Sequence, residues 1–181
     1  MTPALIVAGS PGVGKSVVGM EASYQLSLAG VSHAFIDSDA LDYIVPGWFE
    51  GKDTTELCAR NLSSMWSNFE AAGAEKLILC GVFVRVVVDL TWIRRAIPNF
   101  APHIVRLSCG QEALLERLAG RERGSQLERN RAGAERYRRL YVRELDPLST
   151  LQIDTTGRCV ADIAREALQC TGWLPENATN D

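Results

Sequence analysis

Gly9-Ser10-Pro11-Gly12-Val13-Gly14-Lys15-Ser16 fits the pattern G-x-x-x-x-G-K-[ST] at every fixed position. The apolar run Ala4-Leu5-Ile6-Val7-Ala8 precedes it. Its length and branching favour a buried parallel strand. A segment with helical spacing follows, in which Val17, Met20, Tyr24 and Leu28 fall near one face and Gly30 supplies a stop. A strand, a glycine-rich bend and a helix in that order form a cradle for a polyphosphate. The glycines let several backbone N–H groups converge on one anion. The helix start at Gly14 turns its positive end toward the phosphates. Lys15 is placed to reach the β- and γ-phosphates, and Ser16 offers a hydroxyl to Mg²⁺. A plain turn requires neither Lys15 nor Ser16.

The same alternation continues outward. Strands are expected at 32–37, 76–80, 103–108 and 151–154, with helices from Asp53 to about 72, from about Val87 to 97, over 111–119, over 131–145 and over 160–170. Asp53-Thr54-Thr55-Glu56 resembles a capping box, with Leu57, Leu62, Met65 and Phe69 inward. Alternating strands and helices imply a parallel sheet covered on both faces. One domain is expected over residues 1–174, with a polar tail over 175–181.

Composition narrows the function classes. The 181 residues carry a formal net charge of −3, which argues against a general nucleic-acid binder. No apolar run is long enough to cross a bilayer, and the N-terminus lacks a basic leader, so a cytoplasmic protein is expected. The five cysteines form no CxxC pair and read as reduced thiols. Charge is unevenly placed. Nine arginines fall between Arg117 and Arg143 against three glutamates, a local basic segment on an acidic chain.

Several residues bear on the reaction. Asp37 and Asp39 end the second strand, and ligands of parallel sheets bind at carboxyl ends of strands. A carboxylate there accepts a proton from an attacking hydroxyl or holds the Mg²⁺ shell, unless it only caps a helix or solvates a loop. The third strand, Leu77-Ile78-Leu79-Cys80-Gly81, lacks the terminal Asp of a Walker-B strand, which weakens an ATPase or switch-GTPase reading. Gly81 permits close approach of a substrate, Arg85 is placed to bind a polar one, and Trp48 is a candidate pocket wall. Arg121 and Arg123, in a polar stretch of about residues 120–131, read as a lid that brings positive charge to the transferring phosphoryl and excludes water. The loop at Thr155 either meets the adenine through backbone groups or is a plain strand-to-helix turn.

Together these features resemble the small P-loop kinases, the nucleoside monophosphate kinase-like group that includes shikimate, gluconate and adenylylsulfate kinases. The resemblance covers roughly residues 4–171. It implies a three-layer α/β sandwich of the P-loop NTPase class. Its five-stranded parallel sheet has order 2-3-1-4-5, ATP and Mg²⁺ are the cofactors, and an arginine-rich lid closes over them. By position it implies phosphate and metal binding at Gly12, Gly14, Lys15 and Ser16. Asp37 and Asp39 match the Asp-x-Asp of shikimate kinases and the Asp-Gly-Asp of adenylylsulfate kinases. That match favours transfer to a hydroxyl of a small molecule. Cys80-Gly81-Val82 departs from the Gly-Gly-Gly run of shikimate kinases. The alternatives are a nucleoside monophosphate kinase and a nucleotide-binding module with no metabolic acceptor.

Overall fold

The computed structural model describes residues 1–44, 53–83, 85–121, 133, 136, 137 and 139–174. Five strands, β1 (Thr2–Ala8), β2 (Ala34–Asp37), β3 (Leu77–Gly81), β4 (Phe100–Ser108) and β5 (Leu151–Asp154), form one sheet of order β2-β3-β1-β4-β5. Every pairing is parallel. The order is the one the family resemblance implies.

The helices are α1 (Lys15–Leu28), α2 (Thr55–Ala71), α3 (Val86–Ala96), α4 (Gln111–Arg121) and α5 (Val160–Gln169). A 3₁₀ turn covers Ser38–Ala40, and a π-helical turn, Tyr141–Leu145, precedes a second 3₁₀ turn at Asp146–Leu148.

β3 is buried at all five positions, as an interior strand of a sheet covered on both faces requires. Its alternate residues feed two separate cores. Leu77 and Leu79 pack with Trp66, Trp92, Ile93 and Tyr141, whereas Ile78 and Cys80 pack with Val18, Leu26, Leu118 and Ile163. Each fully buried Leu or Ile stabilises the fold by about 1.5–3 kcal/mol.

Two sequence expectations are corrected. The apolar stripe Val17, Met20, Tyr24 and Leu28 faces solvent, and α1 instead buries Val18, Gly19, Ala22 and Leu26. Small residues at 19 and 22 let the helix axis approach the sheet, so the inward face is the one with less side-chain bulk. α2 also begins later than the capping-box pattern predicts. Thr54 is its N-cap, with no side-chain cap bond, and Asp53 accepts hydrogen bonds from the amide and hydroxyl of Thr55. A local Asx turn has displaced the reciprocal box.

The sheet register brings the site together. Asp37 lies beside Cys80, Ala8 beside Gly81 and Arg106, and Ser108 beside Asp154. Parallel strands therefore end in one row, and the loops leaving that row surround a common space.

Candidate active site

The phosphate loop bridges β1 and α1. Gly14 is the N-cap of α1 with φ 101° and ψ 17°, a left-handed conformation that disfavours any side chain. No side chain caps this helix. Its first-turn amides, which lack intrahelical acceptors, are thus left for a ligand. Ser10 is buried, and its carbonyl accepts from the Val13 amide and from Lys15 Nζ at 3.2 Å. Lys15 therefore lies over the loop that it is expected to serve. Pro11 and Gly12 complete the bend, and Val13 is buried against β4 and α4.

Ser16 Oγ donates to Asp37 Oδ2 at 2.6 Å. These residues are 21 positions apart and come from a helix and a strand. Asp37 Oδ1 accepts from the Asp39 amide at 3.1 Å, which turns the chain at the end of β2 and leaves Asp39 exposed. A hydroxyl and a carboxylate meeting at the mouth of a phosphate loop are hard oxygen donors. Such a pair suits Mg²⁺, which keeps several waters and needs one or two protein groups beside the phosphates. Among the described residues, no group of three or more His, Cys, Asp and Glu is arranged to hold a metal by itself.

Gly81 adjoins this pair. A Cβ there would collide with Ser38 Oγ and come within 2.8 Å of the Phe83 ring. A side chain at this position would therefore have to displace the Ser38 hydroxyl and the Phe83 ring. The Phe83 ring lies 6.5 Å from that of Trp92. Arg85 is exposed at the N-cap of α3, where its amide donates to Asp89 Oδ2 at 3.0 Å. Cys80 is enclosed beneath the loop, with Sγ 3.5 Å from the Lys15 carbonyl. Burial pushes its thiol far above the ordinary range, and the Asp37 charge adds to the rise while Lys15 opposes it.

Thr155 braces the site from below. Its hydroxyl is buried and engages Ser108 O at 3.0 Å and Val13 O at 3.3 Å, and it accepts from Arg117 at 2.9 Å. Its amide donates to Ser108 O, and its carbonyl accepts from Arg117 at 2.8 Å. The amide and carbonyl of Thr155 therefore both have internal partners. Arg117 also donates to Val13 O at 3.4 Å, which ties α4 to the phosphate loop and to the β5–α5 loop. Sequence reading placed Arg117 only within the arginine-rich stretch. Its position one helical turn before Arg121 was the available signal.

Trp48, Arg123 and the rest of the expected lid over 122–131 lie outside the described residues. Arg121 ends α4, and its side chain also lies outside them. Among the described residues, no helix is long and apolar enough to cross a membrane.

An AAA domain family model matches residues 5–138. No curated protein matches the chain. Among solved structures, a gluconokinase from Sinorhizobium meliloti 1021 is 23% identical, with TM-score 0.59 over 97% of this chain and 94% of that one. A shikimate kinase from Acinetobacter baumannii, solved with shikimate, is 17% identical, with TM-score 0.60 over 93% and 92%. An APS kinase from Mycobacterium tuberculosis, solved with AMPPNP and APS, is 16% identical, with TM-score 0.55 over 93% and 96%. At such identities the likeness establishes the fold, that of the P-loop small-molecule kinases. Matched over most of its length by the family model, the chain belongs to the AAA domain family.

Proposed function

We propose that the protein is an ATP-dependent kinase that transfers the γ-phosphoryl group to a hydroxyl of a small-molecule acceptor. The observation that carries this reading is the 2.6 Å hydrogen bond from Ser16 to Asp37. It joins the metal-facing hydroxyl of the phosphate loop to the acceptor-facing end of β2. Asp37 and Asp39 together put two carboxylates at that strand end, one for the metal side and one beside it where an acceptor hydroxyl would enter.

The chain's own groups divide the work. The loop from Gly9 to Gly14 binds the polyphosphate through its amides, and Lys15 neutralises charge between the β- and γ-phosphates. Ser16 and Asp37 are the residues that would hold Mg²⁺, which when bound supplies further neutralisation of the phosphate oxygens. Asp37 orients the acceptor hydroxyl and receives its proton as the new O–P bond forms. The bond from the γ-phosphorus to the bridging oxygen breaks, and ADP leaves with that electron pair. Asp39, Gly81, Arg85 and Trp48 border the acceptor. Arg121 and Arg123 complete the positive surround and exclude water.

The test is ADP release at fixed Mg·ATP, screened across alcohols, sugars, nucleosides and nucleotides. Acceptor-dependent release with a hydroxyl compound is expected. Stimulation by nucleoside monophosphates alone would move the assignment to a nucleoside monophosphate kinase. Tight nucleotide binding with no acceptor-dependent release would make the protein a binding module.

A further inference from the structure

Among the described residues, two buried side-chain atoms lack a hydrogen-bond partner, Gln25 Oε1 and Tyr141 Oη. Gln25 faces α5, where its Nε2 donates to Ala161 O at 3.0 Å, away from the site. Tyr141 is different. Its side chain is 2% exposed and packs in the core layer that holds Ala8, Phe83 and Trp92. An unmet hydroxyl in such a place costs the folded state free energy and calls for an explanation.

The neighbourhood supplies one. Burial drives the phenol well above its ordinary range, and Tyr137 and Asp89 add to the rise. The Gly9 amide and the Arg106 charge oppose it. Gly9 is the first residue of the phosphate loop, and its amide is the backbone donor that acts on the phenol, whose hydroxyl has no hydrogen-bond partner. Tyr141 itself stands on a firm mount. It opens the π-helical turn Tyr141–Leu145, a widened turn of the kind that re-aims a side chain at functional sites. Leu145 is buried, and the next residue, Asp146, forms a two-pronged pair with Arg106 at 2.5 and 2.7 Å. The phenol is therefore held by the chain that follows the arginine-rich stretch.

We propose that Tyr141 is a positioning residue for the phosphate loop. Its hydroxyl takes the Gly9 amide when the loop closes on a nucleotide, so the loop is steadied from the acceptor-side layer. This rests on the reading of residues 9–16 as a nucleotide cradle. It goes beyond that reading by assigning a function to a residue outside the loop, acting only in the loaded state.

The experiment compares the full chain with Tyr141→Phe, which removes the hydroxyl alone. Thermal unfolding is followed with and without Mg·AMPPNP, and affinity for Mg·AMPPNP is measured by calorimetry. Without nucleotide, the variant's midpoint is expected to hold or to rise by about 2–4 °C, because an orphaned buried hydroxyl is gone. Its affinity is expected to fall about fivefold, the ratio carried by one ordinary net hydrogen bond, and the nucleotide-induced rise in midpoint to shrink accordingly. A purely structural hydroxyl would instead lower the midpoint of the unliganded variant, which overturns the proposal. Equal affinity of parent and variant overturns it too, while leaving the nucleotide reading intact. Failure of the parent to bind Mg·AMPPNP overturns both.

Discussion

Replacing Asp37 with Asn tests the proposed chemistry most directly. The carboxylate accepts from Ser16 Oγ at 2.6 Å and from the Asp39 amide at 3.1 Å. Asn preserves the shape and one acceptor oxygen, so the turn at the end of β2 has a route to persist. It removes the negative charge, and with it a charge-assisted hydrogen bond worth about 1.5–3 kcal/mol in a part-buried setting. As a proton acceptor in the transition state, the carboxylate contributes about 10²–10⁴-fold to rate. Asp37→Asn should therefore lower acceptor-dependent ADP release by at least about 10²-fold. Nucleotide affinity measured without Mg²⁺ should stay within about threefold, because the loop amides and Lys15 are untouched. The two arms are a coupled ADP-release assay and calorimetry with and without Mg²⁺. A variant that turns over at close to the parent rate would refute the role of Asp37, whatever the fate of the nucleotide site.

Three further predictions follow from separate features. Lys15→Ala removes the cation over the loop and should collapse turnover, by at least about 10²-fold; parent-like kinetics would remove Lys15 from the mechanism. Gly81→Ala places a methyl group against Ser38 and Phe83 and should destabilise the fold by about 1–3 kcal/mol, read from denaturant unfolding. Cys80 makes stability fall in alkali. Its thiol is raised above the ordinary 9.0 by burial, then by Asp37. The folded state thus keeps a proton that the unfolded chain releases. The stabilisation is complete below the unfolded-state value and is lost as pH rises beyond it, at a limit of about 1.4 kcal/mol per pH unit. Cys80→Ala should flatten the decline of unfolding free energy above about pH 9; an unchanged slope would assign that decline to other groups.

The phosphate loop was legible from sequence because its chemistry is local. Eight consecutive residues carry the motif, and the strand before and helix after it are set by short-range pattern. The strand ends were legible for the same reason, so Asp37 could be placed at a ligand-facing edge. The face of α1 was not. Its sequence holds two stripes, the apolar Val17, Met20, Tyr24 and Leu28 and the smaller Val18, Gly19, Ala22 and Leu26. Periodicity alone favours the bulkier one, yet the sheet accepts the other, because its surface at Ile78 and Cys80 requires a close helix. Thr155 shows the same limit, since its internal partners Val13, Ser108 and Arg117 lie far away in the chain.

Local backbone preference and residue chemistry thus determined that a glycine-rich bend joins the first strand to the first helix and that carboxylates follow the second strand. Tertiary structure alone decided that Ser16 meets Asp37, that Arg117 braces the loop and that the Tyr141 hydroxyl is buried without a partner. Those pairings depend on parallel strands packing in a fixed order and register. Contacts between distant segments arise from that packing and leave no pattern in the chain between them.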